Sequence, residues 1–209
     1  MEQSVFHNVL RAVASAMEVP VVIILILFIA FSVFCIGWVI TEMIVERSHL
    51  KYSLPKLLDE LKSGDKSVVD CIDQSGLLQR QKAALLELTK HPDFDRQTIE
   101  DLSQNLLQKE YSHYDSILKI TGLIAKLAPM AGLLGTLIPL GPGIIALGQG
   151  DTYTLSTSLL TAFDTTIAGL VAAGICLVIH TLRSKWYSAY MSDLETLADC
   201  VSGLVIANE

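Results

Sequence analysis

Charge is scarce in this sequence, and where it is missing it is missing in blocks. Only 18% of the residues are Asp, Glu, Lys or Arg. No Lys/Arg cluster occurs, and the net charge is -7, which argues against a nucleic-acid partner. The four cysteines, Cys35, Cys71, Cys176 and Cys200, lie far apart without a CxxC or Cys/His spacing. That excludes a zinc site or redox pair as the first expectation and leaves reduced thiols. No internal repeat, low-complexity tract or strand-rich region is present. Nor is there a nucleophile–base pair, metal-ligand spacing or phosphate-binding loop. The chain is therefore not expected to be an enzyme or to hold a cofactor.

What is present is apolar and unevenly placed. Half of the residues are hydrophobic, at 51%, and they collect in three stretches. Val19 to Ile40 carries no charge. As a helix it would be roughly 33 Å long, enough for a hydrocarbon core of about 30 Å. It is too long for a signal-peptide core. The second stretch runs from about Leu127 to Leu147, and the third from about Leu155 to Ile179. The expected fold class is an all-α membrane protein with three transmembrane helices and long helical cytoplasmic extensions.

The positive residues orient these spans. Arg47, Lys51 and Lys56 follow the first. Lys119 and Lys126 precede the second, and Arg183 and Lys185 follow the third. The loop between the second and third, Gly148 to Thr154, has neither Lys nor Arg. By the positive-inside rule the N-terminus and this loop lie outside, and the rest of the polar chain is cytoplasmic. The expected organisation is an outside amphipathic segment over 1–18 and a first span over 19–41. A cytoplasmic helical segment over 42–120 and a second span over 121–147 follow. A short outside loop over 148–154, a third span over 155–182 and a cytoplasmic tail helix over 183–209 complete it.

Helical periodicity fills in the polar parts. Val5, Val9, Val13 and Ala16 oppose Asn8, Arg11 and Ser15, as in an interfacial helix, with Pro20 as a break before the span. Short helices are expected over Lys56–Lys62, Ser67–Cys71 and Ser75–Lys90. From Asp95 or Thr98 onward, Ile99, Leu102, Leu106, Tyr114 and Ile117 keep helical spacing. Nothing stops that pattern before Leu127, so one long helix should lead into the second span. The tail should likewise continue the third.

Two spans carry more than apolar residues. In the second, Pro129, Gly132, Thr136, Pro139 and Gly143 recur every three or four residues as one stripe. Such a stripe serves close helix packing. It can also line a polar pathway, with Thr136 as the lining residue. Pro139 and Pro142 would free the carbonyls of Gly135 and Ile138, which membrane depth tolerates only beside protein or water. In the third span, Thr157, Thr161, Asp164, Thr165 and Thr166 interrupt the apolar run. A carboxylate near mid-bilayer costs on the order of 2.5–3.5 kcal/mol, so Asp164 should face a cavity or a partner. The alternative is a protonated anchor packed between subunits. Thr157, Thr161, Asp164 and Ala168 share one face, and Ala162, Thr166, Gly169 and Ala173 share another. Asp164 and Thr166 are about 200° apart. Either face could line a pore while the other packs on the second span.

These residues resemble a known family. Ala128-Pro-Met-Ala-Gly-Leu-Leu-Gly-Thr136 is similar to the second-span signature of the MotA/TolQ/ExbB proton-channel family, and Thr166-Ile-Ala-Gly-Leu-Val-Ala-Ala173 to its third-span signature. The layout also resembles that family, closest to its three-span ExbB and TolQ branches. The resemblance implies a homopentamer around a dimer of a single-span ExbD/TolR/MotB-like partner, whose membrane aspartate carries the ion. It implies a stator in the inner membrane that converts proton motive force into mechanical work. It also puts two pathway threonines on Thr136 and Thr166. The residues themselves add Asp164 and Thr161 to the candidate ion pathway and mark Pro129, Gly132, Pro139 and Gly169 as a pore or packing stripe. Where the family often has a glutamate, five residues before the third-span threonine, this chain has Thr161, and its acid stands at Asp164. Gly174-Ile175 replaces a proline that often follows. The competing expectation is a non-conducting oligomeric scaffold that recruits soluble partners through its cytoplasmic helices.

Overall fold

The structure, a computed structural model, describes residues 6, 9, 12–13, 15–49, 54–63, 67–91 and 94–207, with the side chains of 45–49, 62 and 207 outside that description. Every regular element among these residues is an α-helix. The elements are α1 (Glu18–His49), α2 (Leu54–Ser63), α3 (Val68–Gln74), α4 (Gln79–Thr89), α5 (Arg96–Gly148) and α6 (Thr152–Ala207). Three of them, α1, α5 and α6, are long and apolar enough to cross a membrane. The amphipathic segment expected over 1–18 rests on Val5, Asn8 and Arg11, which lie outside the described residues.

Local chemistry sets the ends of these helices. Pro20 sits in the first turn of α1, where its missing N–H breaks no helical bond. Asp95 precedes α5 and accepts a hydrogen bond from the Thr98 hydroxyl, so it is Asp95 that opens the helix. The helix expected from Ser75 begins only at Gln79, a difference traceable to the backbone. Ser75 and Leu78 are extended, with ψ of 153° and 145°. Gln81 then reaches back, its Oε1 accepting from the Leu78 N–H at 3.2 Å. The link between α5 and α6 is a Schellman turn. Asp151 N–H donates to Ala146 O at 2.9 Å and Gly150 N–H to Leu147 O at 3.1 Å. Gly150 supplies the positive φ of 79° that this turn needs.

The unbroken helix expected from Asp95 is present as α5, 53 residues long with Pro129, Pro139 and Pro142 inside it. The tail continues the third apolar stretch as α6, 56 residues long.

Tertiary contacts divide the chain into two compact units. The first comprises Met1–Trp38 and Lys119–Thr181 and contains the second and third apolar stretches and all but the last two residues of the first. Its core is built of small residues, Ala128, Ala172, Ala173 and Cys176 with Ile124, covered by Phe28, Ile29 and Phe31. Outside that core it exposes a broad apolar surface, including Ile26, Leu27, Phe34, Leu133, Ile144 and Phe163. Water would not tolerate so large a patch, whereas lipid or a partner's apolar face would.

The second unit comprises Val39–Leu118 and Leu182–Glu209. Its core is aliphatic, with Ile72, Leu85, Leu88, Leu194, Leu197 and Val201 all nearly inaccessible. Such burial is what the hydrophobic effect drives in water. Polar bonds fix its register. Gln81, 1% exposed, donates through Nε2 to Tyr190 O at 3.2 Å. Arg80 grips Glu110 with two bonds of 3.0 and 2.9 Å, and that pairing raises the Arg80 pKa. None of the four cysteines is in a disulfide.

Candidate functional site

The site grows from the seam between α5 and α6 in the first unit. Gly132, Gly135 and Gly143 on α5 meet Thr165, Gly169 and Ser158 on α6. A Cβ on Gly169 would lie 2.6 Å from Ala128 O and 3.0 Å from Gly132 Cα. A Cβ on Gly132 would be 3.2 Å from Thr165 O and 3.5 Å from Thr166 Cα. The two backbones therefore nearly touch, and only glycine permits it. In lipid such proximity is the main source of helix–helix attraction, through dispersion between closely packed atoms.

This seam settles which face of α6 packs on α5. Ala162, Thr165, Gly169, Ala172, Ala173 and Cys176 are buried. Thr157, Thr161 and Asp164 are exposed, flanked by the exposed Leu160, Phe163 and Ile167. The stripe on α5 divides likewise. Gly132, Pro139 and Gly143 are buried, while Pro129 and Thr136 are half-buried. Most of the stripe is thus consumed by packing within one chain.

The four expected pathway residues do not share one face. Thr136 and Thr166 are half-buried, with the Thr166 backbone against Gly132 at the seam. Thr161 and Asp164 belong to the exposed face of α6. The threonine hydroxyls have a common geometry. Thr136 donates to Leu133 O at 2.6 Å, Thr161 to Thr157 O at 3.1 Å and Thr166 to Ala162 O at 3.1 Å. Each hydroxyl hydrogen is committed to its own helix, which leaves the oxygen lone pairs free to accept or to coordinate. Such oxygens accept hydrogen bonds, which suits water, hydronium or a metal cation rather than an anion. Asp164 makes no hydrogen bond or ion pair among the described residues, and no group of three or more metal-ligating side chains occurs there.

Sequence reasoning passed over two features. Thr165 is the threonine of the third apolar stretch that is buried, 8% exposed, and its Cβ would sit 2.6 Å from a Cβ on Gly135. Gly135, spaced three residues from Gly132, was the available signal. The second feature belongs to the other unit. Glu42 Oε2 accepts from Arg183 Nε at 2.9 Å and Nη2 at 2.7 Å, and Glu42 Oε1 accepts from the Tyr187 hydroxyl at 2.8 Å. Both charged side chains are over nine-tenths buried. Glu42 and Arg183 are 141 residues apart, and no local pattern connects them. His180, near the end of the third apolar stretch, lies against Gly122, with Nδ1 3.5 Å from Thr121 Oγ1.

At the loop, Asp151 caps α6. Its Oδ1 accepts from the Thr154 N–H at 3.0 Å and its Oδ2 from the Thr154 hydroxyl at 2.5 Å. These donors stabilise the carboxylate and hold Asp151 below the usual carboxylate pKa.

Comparison with known proteins covers this same region. The family profile described as the MotA/TolQ/ExbB proton channel family matches residues 74–196, a range that includes the α5–α6 seam and the four expected pathway residues. The biopolymer transport protein exbB1 of Vibrio cholerae serotype O1 is 34% identical over 112 residues. That match takes in 52% of this chain and 49% of the relative, so it spans about half of the relative's length.

Proposed function

The chain belongs to the MotA/TolQ/ExbB proton channel family, and from that membership we propose that it is the oligomeric, ion-conducting subunit of a stator driven by proton motive force. It acts as a pentamer in the inner membrane, with its N-terminus outside and its C-terminus cytoplasmic. The pentamer encloses a dimer of a single-span partner whose membrane aspartate carries the proton. The chain itself performs no catalysis. Thr136 and Thr166 line the route as acceptors, and Asp164 with Thr161 supplies a polar face to the partner or to a neighbouring copy. The Vibrio relative is named for biopolymer transport, which makes transport the first driven process to test.

The observation that carries this reading is the position of Asp164. It is exposed within an apolar surface, turned away from the seam that α6 makes with α5. A carboxylate at that depth needs a partner or water, and no side chain among the described residues pairs with it. The scaffold reading rested on the small-residue stripe, and that stripe is largely used in packing α5 on α6.

Co-reconstitution with the partner in proteoliposomes, read by an internal pH dye, tests the proposal. Asp164→Asn and Thr166→Val are each expected to lower proton influx at least about tenfold, a loss of about 1.4 kcal/mol of barrier stabilisation. Undiminished influx in both variants would sink the assigned pathway. Native mass spectrometry should give a pentamer, and a monomer would count against the stator and the scaffold alike.

A further inference from the structure

The Pro139-Leu-Gly-Pro-Gly143 run is unusual for a membrane helix, and the proposed ion route uses only part of it. Gly141 and Pro142 are exposed, and a Cβ on Gly141 would meet nothing within 4 Å. Beside them the first unit has a recess of about 430 Å³. Leu134, Leu137 and Ile138 of α5 form one wall, and Val21 with Glu18 at the start of α1 forms the other. The volume falls within the range of about 300–1,000 Å³ typical of small-ligand sites.

Two observations together specify the occupant. The recess lies among the exposed apolar residues of the unit that contains the candidate spans, a surface that lipid would cover. Empty space there forfeits dispersion contacts that a flexible chain would restore. At one end, where the first apolar stretch begins, stand the Glu18 carboxylate and Ser15. No Lys or Arg is among the described lining residues. A carboxylate at the interface favours an ammonium donor and repels a headgroup that is only anionic. We propose that this recess binds one phospholipid with an amine-bearing headgroup. One acyl chain lies over Gly141 and Pro142, and the ammonium group pairs with Glu18.

The test is native mass spectrometry of the oligomer released from nanodiscs of equimolar phosphatidylethanolamine and phosphatidylglycerol. Wild type should retain phosphatidylethanolamine preferentially, by about two- to fivefold, as a partly exposed ion pair permits. Glu18→Gln should equalise the two lipids. Gly141→Leu should fill the recess and release the retained lipid with the oligomer intact, and Gly141→Ala should do so in part. Four outcomes would overturn the proposal. They are equal retention in wild type, unchanged retention in Gly141→Leu, adducts of detergent only, or loss of the oligomer in Gly141→Leu, which would make the recess a contact between copies.

Discussion

At Gly169 there is no room for a side chain, and the obstacle is backbone on the facing helix rather than a movable side chain. Gly169→Ala must push α5 and α6 apart, and overpacking of this kind costs about 1–3 kcal/mol. Gly174 is the control, because a Cβ there meets nothing within 4 Å. Gly174→Ala should be neutral, or stabilising by up to about 1 kcal/mol through helix propensity. Thermal unfolding of the purified variants reads both, and equal midpoints would contradict the seam. Glycine content alone could not separate these two positions. Helical spacing put Gly169 on a candidate packing face and assigned Gly174 to none, and only the facing helix showed which of the two is crowded. The Asp151 cap carries a pH prediction. Its folded pKa is depressed, so its contribution is complete above the unfolded value of about 3.9 and fades as pH falls through the lower folded value. Hydrogen-exchange protection at the Thr154 and Leu155 amides, taken relative to the intrinsic rate at each pH, should therefore fall in acid. Asp151→Asn retains a capping side chain that does not titrate, so it should lose this pH dependence. The same acid response in both would rule out the cap as its cause.

Among the elements, α1 and α6 are joined by the Glu42–Arg183–Tyr187 cluster. Sequence reading treated Arg183 as a topological charge, because its only visible property was its place after an apolar run. In the structure its side chain is 5% exposed, and its guanidinium spends two donors on one carboxylate oxygen. Arg183→Met would leave the Glu42 charge buried with its main donor gone. Removing one partner of a buried pair costs about 3–5 kcal/mol. Adding Glu42→Leu should restore much of that loss, since an apolar pair requires no desolvation of charge. Denaturant midpoints of the two single variants and the double variant check this cycle. If the double variant is as unstable as the sum of the singles, the pair is not coupled. The long helices were more legible than this contact. From Asp95 onward no break interrupts the apolar period, and α5 continues even through three prolines. The freed carbonyls of a proline-containing helix must then be sheltered by neighbouring protein or by water.

For the whole molecule, charge bias makes a topology that labelling can check. In a background without the four native cysteines, Thr152→Cys should react with an impermeant maleimide from outside. Ser63→Cys should react only after permeabilisation. Reversed labelling would invert the proposed orientation. The sequence by itself determined the three apolar helices, the two long extensions and the family, because hydrophobic run length and helical period are local properties of the chain. It also singled out Asp164, because one charge in an apolar run is conspicuous without any coordinates. Tertiary structure decided that Thr165 and Gly169, not Asp164, face α5, and that Glu42 pairs with Arg183 across 141 residues. The scarcity of charge that marks the spans could not decide these points. Which face of an apolar helix packs depends on the shape of its neighbour, and that shape exists only once the helices are brought together.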